Sequence, residues 1–156
     1  MNQESIDQLW QARESVYRVA YNYVRNETDA LEIVSETYAK AVAKIDSLAN
    51  PEFAKTWLIR IAINTSLDVL RKRKDHLSLV EIESTGIADS QQSLQIQLMS
   101  LPIEIRTVLA LRFYEDLKLK DISDLLDIPL STVKHRLYSG LDMLRIQIDN
   151  EESELA

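Results

Sequence analysis

The chain of 156 residues has no cysteine. That excludes disulfides, thiolate metal sites and cysteine nucleophiles, and suits a reducing compartment. Glycine occurs twice and proline three times, and the frequent Leu, Ile, Glu, Lys and Arg favour helix throughout. No apolar run approaches the roughly 18 residues that a membrane span needs. The opening MNQESIDQLWQARES lacks a basic stretch followed by an apolar one, so no signal peptide is expected, and the expected location is cytoplasmic. His76 and His135 are the two histidines, far apart in the chain, and neither G-x-x-x-x-G-K nor G-x-G-x-x-G is present. Carboxylates fall on predicted outer faces. An enzyme, a cofactor and a bound metal are therefore not expected.

Charge is unevenly spread. The total is −7, with residues 1–76 balanced at 11 basic and 11 acidic side chains and residues 93–156 holding seven against 11. Basic charge gathers at Arg71-Lys72-Arg73-Lys74, and acidic charge at the end, Asp149 to Glu154. Such a chain leaves a weak electrostatic footprint on nucleic acid when alone, so another body must hold most of any phosphate backbone.

Periodicity divides the chain into two helical modules. In the first, residues 5–25 read as one or two helices with a break at Asn26 to Asp29. Thr28 or Asp29 can cap the next helix, whose buried stripe is Ala30, Ile33, Val34, Ala41, Val42 and Ile45, with Glu32 and Glu36 on an acidic outer face. Asp46 to Pro51 is turn-rich. Pro51 then opens a helix apolar nearly all round, including Phe53, Trp57, Leu58 and Ile61, with Arg60, Asn64, Ser66 and Asp68 as its polar intrusions. Asn64 fits equally a satisfied core amide or a surface group facing a ligand. The cations of Arg71 to Lys74 suit a helix C-terminus whether or not DNA is involved. Residues 77–92 lose the 3.6 period and read as a linker.

The second module spans 93–150, before an acidic tail at 151–156. Leu94, Leu98 and Leu101 form a stripe, and Pro102 starts a helix carrying Ile105, Val108, Leu109 and Phe113. Glu115-Asp116 is a polar break. Ile122, Leu125 and Leu126 then share one helical face, and Val133, Leu137 and Leu141 another. Pro129 cannot donate a backbone hydrogen bond and disfavours helix before it, so a helix ends near Leu126 and the next starts at Pro129 to Ser131. Two short helices, a tight turn and a polar face of Thr132, Lys134, His135, Arg136, Tyr138 and Ser139 fit a DNA-reading helix-turn-helix. The plain alternative is a helical hairpin with a solvated outer face.

The order of these pieces resembles an extracytoplasmic-function sigma factor of the sigma-70 family. A family motif of the form D-A-E-D-x-x-Q-E-T-F is matched by Asp29 to Tyr38, with Leu31 and Ser35 as departures. W-L-x-x-I-A-x-N…D-x-x-R-R/K is matched by Trp57-Leu58, Ile61-Ala62, Asn64, Asp68, Arg71 and Lys72. L-P-x-x-x-R-x-V-L-x-L-R is matched from Leu101 to Arg112, and D/E-I-A-x-x-L-x-I-x-x-x-T-V-K-x-R-L from Asp121 to Leu137. Asp127 stands where the turn often has Gly, a position that Asp tolerates, and Ser139 stands where many members have Arg.

The resemblance implies an all-α protein of two small domains on a flexible linker: a region-2-like bundle and a region-4-like helix-turn-helix domain. It implies core RNA polymerase and promoter DNA as partners, and an anti-sigma factor, commonly membrane-anchored. Asp29, Glu32, Ile33, Glu36 and Lys40 would dock on polymerase. Ser47 and Asn50, in a loop that traps an unstacked base, would serve the −10 element with Arg60, Asn64, Arg71 and Lys72. Thr132, Lys134, His135, Arg136, Tyr138 and Ser139 would read the −35 element in the major groove. An autonomous helix-turn-helix regulator is the alternative.

Overall fold

The computed structural model describes residues 3–76 and 98–155, with side chains described for 3–73 and 98–145. Every long element is an α-helix, and no strand occurs among the described residues. The chain divides into two compact units, Met1–Ile82 and Glu83–Ala156. The expected linker at 77–92 and the stripe residue Leu94 lie outside the described residues.

In the first unit, α1 (Gln3–Gln11) and α2 (Arg13–Val24) are separated only at Ala12, and Arg25 ends α2 in the left-handed region with φ 64°. α3 (Glu27–Ala43) starts earlier than Thr28 or Asp29. Its cap is Asn26, whose Oδ1 accepts the Asp29 N–H at 2.8 Å and so satisfies a first-turn donor. Its inward stripe also differs from expectation. Thr37 is fully buried, whereas Val42 is half open to solvent.

Two 3-10 turns, Ile45–Ser47 and Pro51–Phe53, lead into α4 (Ala54–His76). α4 packs against α1, α2 and α3 and is the centre of the unit. Leu58, Ile59, Ala62 and Ile63 are buried on it, as an all-round apolar sequence requires. Ser66, expected as a polar intrusion, is also buried; its hydroxyl donates to the Ala62 carbonyl at 2.7 Å. Phe53 departs from the expected apolar face. Residues 51–53 form a separate turn capped by Asn50, out of register with α4, and leave its ring 63% exposed.

The second unit contains α5 (Ile103–Leu109), α6 (Leu119–Leu126) and α7 (Leu130–Leu155), and α7 packs on both others. α5 continues into a π-helical turn, Ala110–Tyr114, closed by the Glu115 N–H on the Ala110 carbonyl at 3.2 Å. A wider turn holds an extra residue, so the 3.6 period fails there. Phe113, expected in the core, is 58% exposed, and Glu115, expected in an exposed break, is 2% exposed. Arg106 is buried as well, its Nη1 donating to the carbonyls of Met99 and Leu101, each at 3.2 Å.

The turn between α6 and α7 is as anticipated. Asp127 ends α6 in the left-handed region, φ 54° and ψ 48°. The Ser123 carbonyl accepts the N–H groups of Asp127 and Ile128, while the Ser123 hydroxyl donates to the Ile128 carbonyl. Pro129 supplies the first accepting carbonyl of α7, at 3.0 Å from the Thr132 N and 3.1 Å from the Val133 N. Val133 and Leu137 are buried as expected; Leu141 is exposed, and Gly140 faces the core instead. A Cβ there would lie 2.7 Å from both Ile105 Cγ2 and Leu109 Cδ1, so the missing side chain sets how closely α7 approaches α5. The backbone stays helical to Leu155, through most of the stretch expected as a separate tail.

Candidate nucleic-acid interface

α7 buries Val133, Leu137 and Gly140, which turns the intervening positions outward. Lys134, His135 and Tyr138 are exposed, and Thr132, Arg136 and Ser139 are half-buried along the flanks. All six expected residues therefore lie on or beside one open face. Among the described residues, no carboxylate pairs with Lys134 or Arg136. Such a face offers uncommitted donors to base edges and phosphates.

In the first unit, Arg60, Asn64 and Arg71 recur at four and seven positions along α4, and all are exposed. Asn64 is thus a surface amide, which resolves the choice left open by periodicity. Arg71 is already engaged, with its Nη2 2.9 Å from Asp68 Oδ1, and Lys72 is exposed beside it. Ser47 and Asn50 are exposed in the loop before α4 but make local bonds. The Ser47 hydroxyl donates to the Lys44 carbonyl at 2.7 Å, and Asn50 Oδ1 accepts the Glu52 N–H at 3.0 Å. Phe53 was missed as a surface residue beside this loop. The signal was present: Asn followed by Pro marks the start of a turn distinct from the long helix.

The expected docking set on α3 separates into two groups. Glu32 and Glu36 are exposed on the outer face. Ile33 is 1% exposed, a core residue that no partner can reach, which corrects its place in the docking set. Asp29 is half-buried in an ion pair with Arg73. Lys40 is half-buried too, its Nζ donating to Thr65 Oγ1 at 3.0 Å and lying 3.4 Å from Glu36 Oε1. The inward residues of this set follow i, i+4 and i+11 spacing, whereas the true outer stripe is Glu32 and Glu36.

Beside that stripe, Arg13, Glu14, Tyr17, Arg18, Leu31 and Val34 line a shallow groove between α2 and α3. Burial raises the Tyr17 phenol pKa, as do the Glu27 charge and Tyr21. Trp10 is exposed, with the Arg13 guanidinium 4.8 Å above its ring. Tyr38 donates to the Leu9 carbonyl at 2.7 Å, and burial raises its pKa against an opposing effect from Arg13. Among the described residues, no group of three His, Asp or Glu side chains could hold a metal ion, and no helix is long and apolar enough to cross a membrane.

The family pattern described as sigma-70 region 2 matches residues 9–76, and that described as sigma-70 region 4 matches residues 91–144. The chain is 37% identical to the RNA polymerase sigma factor SigV of Bacillus subtilis, over 90% of this chain and 88% of that one. It is 30% identical to the ECF RNA polymerase sigma factor SigW of the same organism, over 87% and 84%. A solved structure, the sigma factor RpoE in complex with the anti-sigma factor NepR from Bartonella quintana, is similar in fold. Its TM-score is 0.84, at 22% identity, with 95% of this chain and 98% of that chain covered. CnrH in complex with the cytosolic domain of CnrY aligns with a TM-score of 0.64 at 20% identity, covering 96% and 99%. Two helical units, an Asp127-closed helix-turn-helix and two consecutive region matches converge, and the chain belongs to the extracytoplasmic-function sigma factors of the sigma-70 family.

Proposed function

We propose that this sigma factor binds core RNA polymerase through Glu32 and Glu36 of α3 and directs it to promoters by reading two DNA elements. Residues 1–76 form the module that docks on polymerase and opens the −10 element. Residues 77–92 join it to the −35-reading module at 93–150, and 151–156 add acidic charge. The observation that carries the reading is the open cationic face of α7, positioned by a clasped turn and uncommitted among the described residues.

On the −10 side, Arg60, Arg71 and Lys72 hold backbone phosphates and Asn64 meets the displaced strand. Ser47 and Asn50 shape the loop that receives an unstacked base, a step costing a few kcal/mol. Phe53, exposed at the edge of that loop, adds a ring on which a base can stack, worth about 1–3 kcal/mol. On the −35 side, Lys134 and Arg136 donate to guanine edges or phosphates, His135 and Tyr138 reach bases or sugars, and Thr132 and Ser139 meet the backbone. Polymerase supplies the catalysis, so this chain is no enzyme and needs no cofactor or metal. It acts in the cytoplasm, and an anti-sigma factor is its expected regulator; the RpoE neighbour was solved with the anti-sigma factor NepR, and CnrH with the cytosolic domain of CnrY.

The test is reconstitution. Mixed with core polymerase, the chain should support run-off transcription from a template carrying its −35 and −10 elements. Alone, with net charge −7, it should bind the same duplex weakly. A tight, half-site-spaced footprint without polymerase would instead indicate an autonomous dimeric regulator.

A further inference from the structure

Within the basic run Arg71 to Lys74, Arg73 turns inward. Its Nη2 pairs with Asp29 Oδ2, and its Nη1 donates to the Val24 carbonyl at 3.3 Å. Asn26 completes the arrangement from the other side. Its Nδ2 donates to the same carbonyl at 3.1 Å and to Asp29 Oδ2 at 3.0 Å, while its Oδ1 caps the Asp29 N–H. One carboxylate, one guanidinium, one amide and one carbonyl thus fasten the corner between α2 and α3 to the far end of α4. Both ionic partners keep 30% side-chain exposure, enough to be reached by a ligand but not freely offered to one. Further along, the Lys40 ammonium ties the other end of α3 to Thr65. α3 therefore runs antiparallel to α4 between two polar struts.

We propose that Asp29 and Arg73 are positioning residues: the strut between them fixes the outward acidic stripe of α3 in register with the outward Arg60–Asn64–Arg71 stripe of α4. This rests on the polymerase-docking reading of Glu32 and Glu36. Asp29 then acts on polymerase through α3, not by touching it, and Arg73 acts through the same corner, not by holding a phosphate. The physical route is preorganisation. Without the strut, the first turn of α3 loses an anchor, the docking-competent arrangement becomes a fraction of the population, and apparent affinity falls by that fraction.

The test is a double-mutant cycle on the full chain, comparing wild type, Asp29→Asn, Arg73→Gln, the double variant and the charge exchange Asp29→Arg/Arg73→Asp. Affinity for core polymerase is read at a temperature where circular dichroism shows every variant folded. Each single variant should bind roughly three- to tenfold more weakly, the double no worse than either, and the exchange should recover most of the loss. A loss confined to Asp29→Asn, unrescued by the exchange, would make Asp29 a direct contact and overturn the proposal. Shifts in melting temperature with unchanged affinity would reduce the strut to a structural element, overturning it equally. If wild type itself fails to bind core polymerase, the docking reading falls and takes the proposal with it; uncoupled variants of a binding wild type refute the proposal alone.

Discussion

In the first unit, two cations of α4 are held by carboxylates: Arg71 by Asp68 of the same helix, and Arg73 by Asp29 of α3. Lys40 on the neighbouring helix is likewise engaged with Glu36 and Thr65. In the second unit, Lys134, His135 and Arg136 stand on α7 without such partners among the described residues. If the two helices meet DNA as proposed, the difference sets what it must displace. A phosphate arriving at Arg71 competes with an existing carboxylate, whereas one arriving at Lys134 or Arg136 displaces water and small ions. On the proposed reading, duplex recognition starts from a prepared surface on α7. On the same reading, a phosphate reaching Arg71 of α4 exchanges one ionic partner for another, so that contact adds less to DNA affinity.

The largest expected effect tests this contrast directly. Replacing Lys134 and Arg136 together by alanine should lower −35-dependent run-off by roughly 30-fold or more, since each good base or phosphate contact contributes about 1–3 kcal/mol. Arg71→Ala should cost less than tenfold on the same template, because an exposed ion pair already offsets part of its interaction with DNA by up to about 1 kcal/mol. Equal losses from the two sites would erase the distinction between them.

An intermediate effect concerns how α7 is held. At Gly140 an added methyl collides with Ile105 and Leu109, and overpacking of this kind costs about 1–3 kcal/mol. Alanine recovers about 1 kcal/mol through helix propensity, leaving a net loss of about 0–2 kcal/mol for Gly140→Ala. Gly140→Leu should be worse. Chemical denaturation checks both, and the loss should appear in unfolding of the second unit while the first keeps its transition. A stabilised Gly140→Ala would mean that Ile105 and Leu109 move aside at no cost.

The helix-turn-helix was legible because its determinants are local. Pro129 blocks α6 from continuing, Asp127 accepts the left-handed turn, and Ile122, Leu125, Val133 and Leu137 carry the period of the buried face. Where local geometry departs from 3.6 residues per turn, the same reading fails. The π turn moved Phe113 outward and Glu115 inward, and the 3-10 turn at Pro51–Phe53 freed Phe53 from the stripe of α4. Asn64 could not be oriented from spacing alone, since a helix apolar nearly all round has no evident outer side until its neighbours pack. The Asp29–Arg73 pair had no signal at all: its members lie on different helices, and a motif that includes Asp29 says nothing about what it touches. Ile33 shows the converse error, a residue placed in a docking set by its motif although its own periodicity already marked it as core.

The smallest effect concerns the inward use of polar groups in the first unit, now at a neutral one. Tyr38 on α3 donates to the Leu9 carbonyl of α1 at 2.7 Å, and burial is the leading cause of its raised pKa, Arg13 opposing it. Tyr38→Phe should cost about 0.5–1.5 kcal/mol near neutral pH, the ordinary net contribution of one such bond. The pH dependence gives the sharper reading. A folded pKa raised above the ordinary 10.0 means that the fold favours the neutral phenol, so this stabilisation is fully present below pH 10.0 and is lost as pH rises through the folded value. Lysines also deprotonate in that range, but they do so in both proteins, so the difference between wild type and Tyr38→Phe isolates the phenol. That difference should stay constant up to about pH 10 and shrink above it, since the ionised oxygen can no longer donate to Leu9. A difference that grows with alkalinity would mean that the phenolate is the form the fold prefers, with Arg13 rather than burial governing the site.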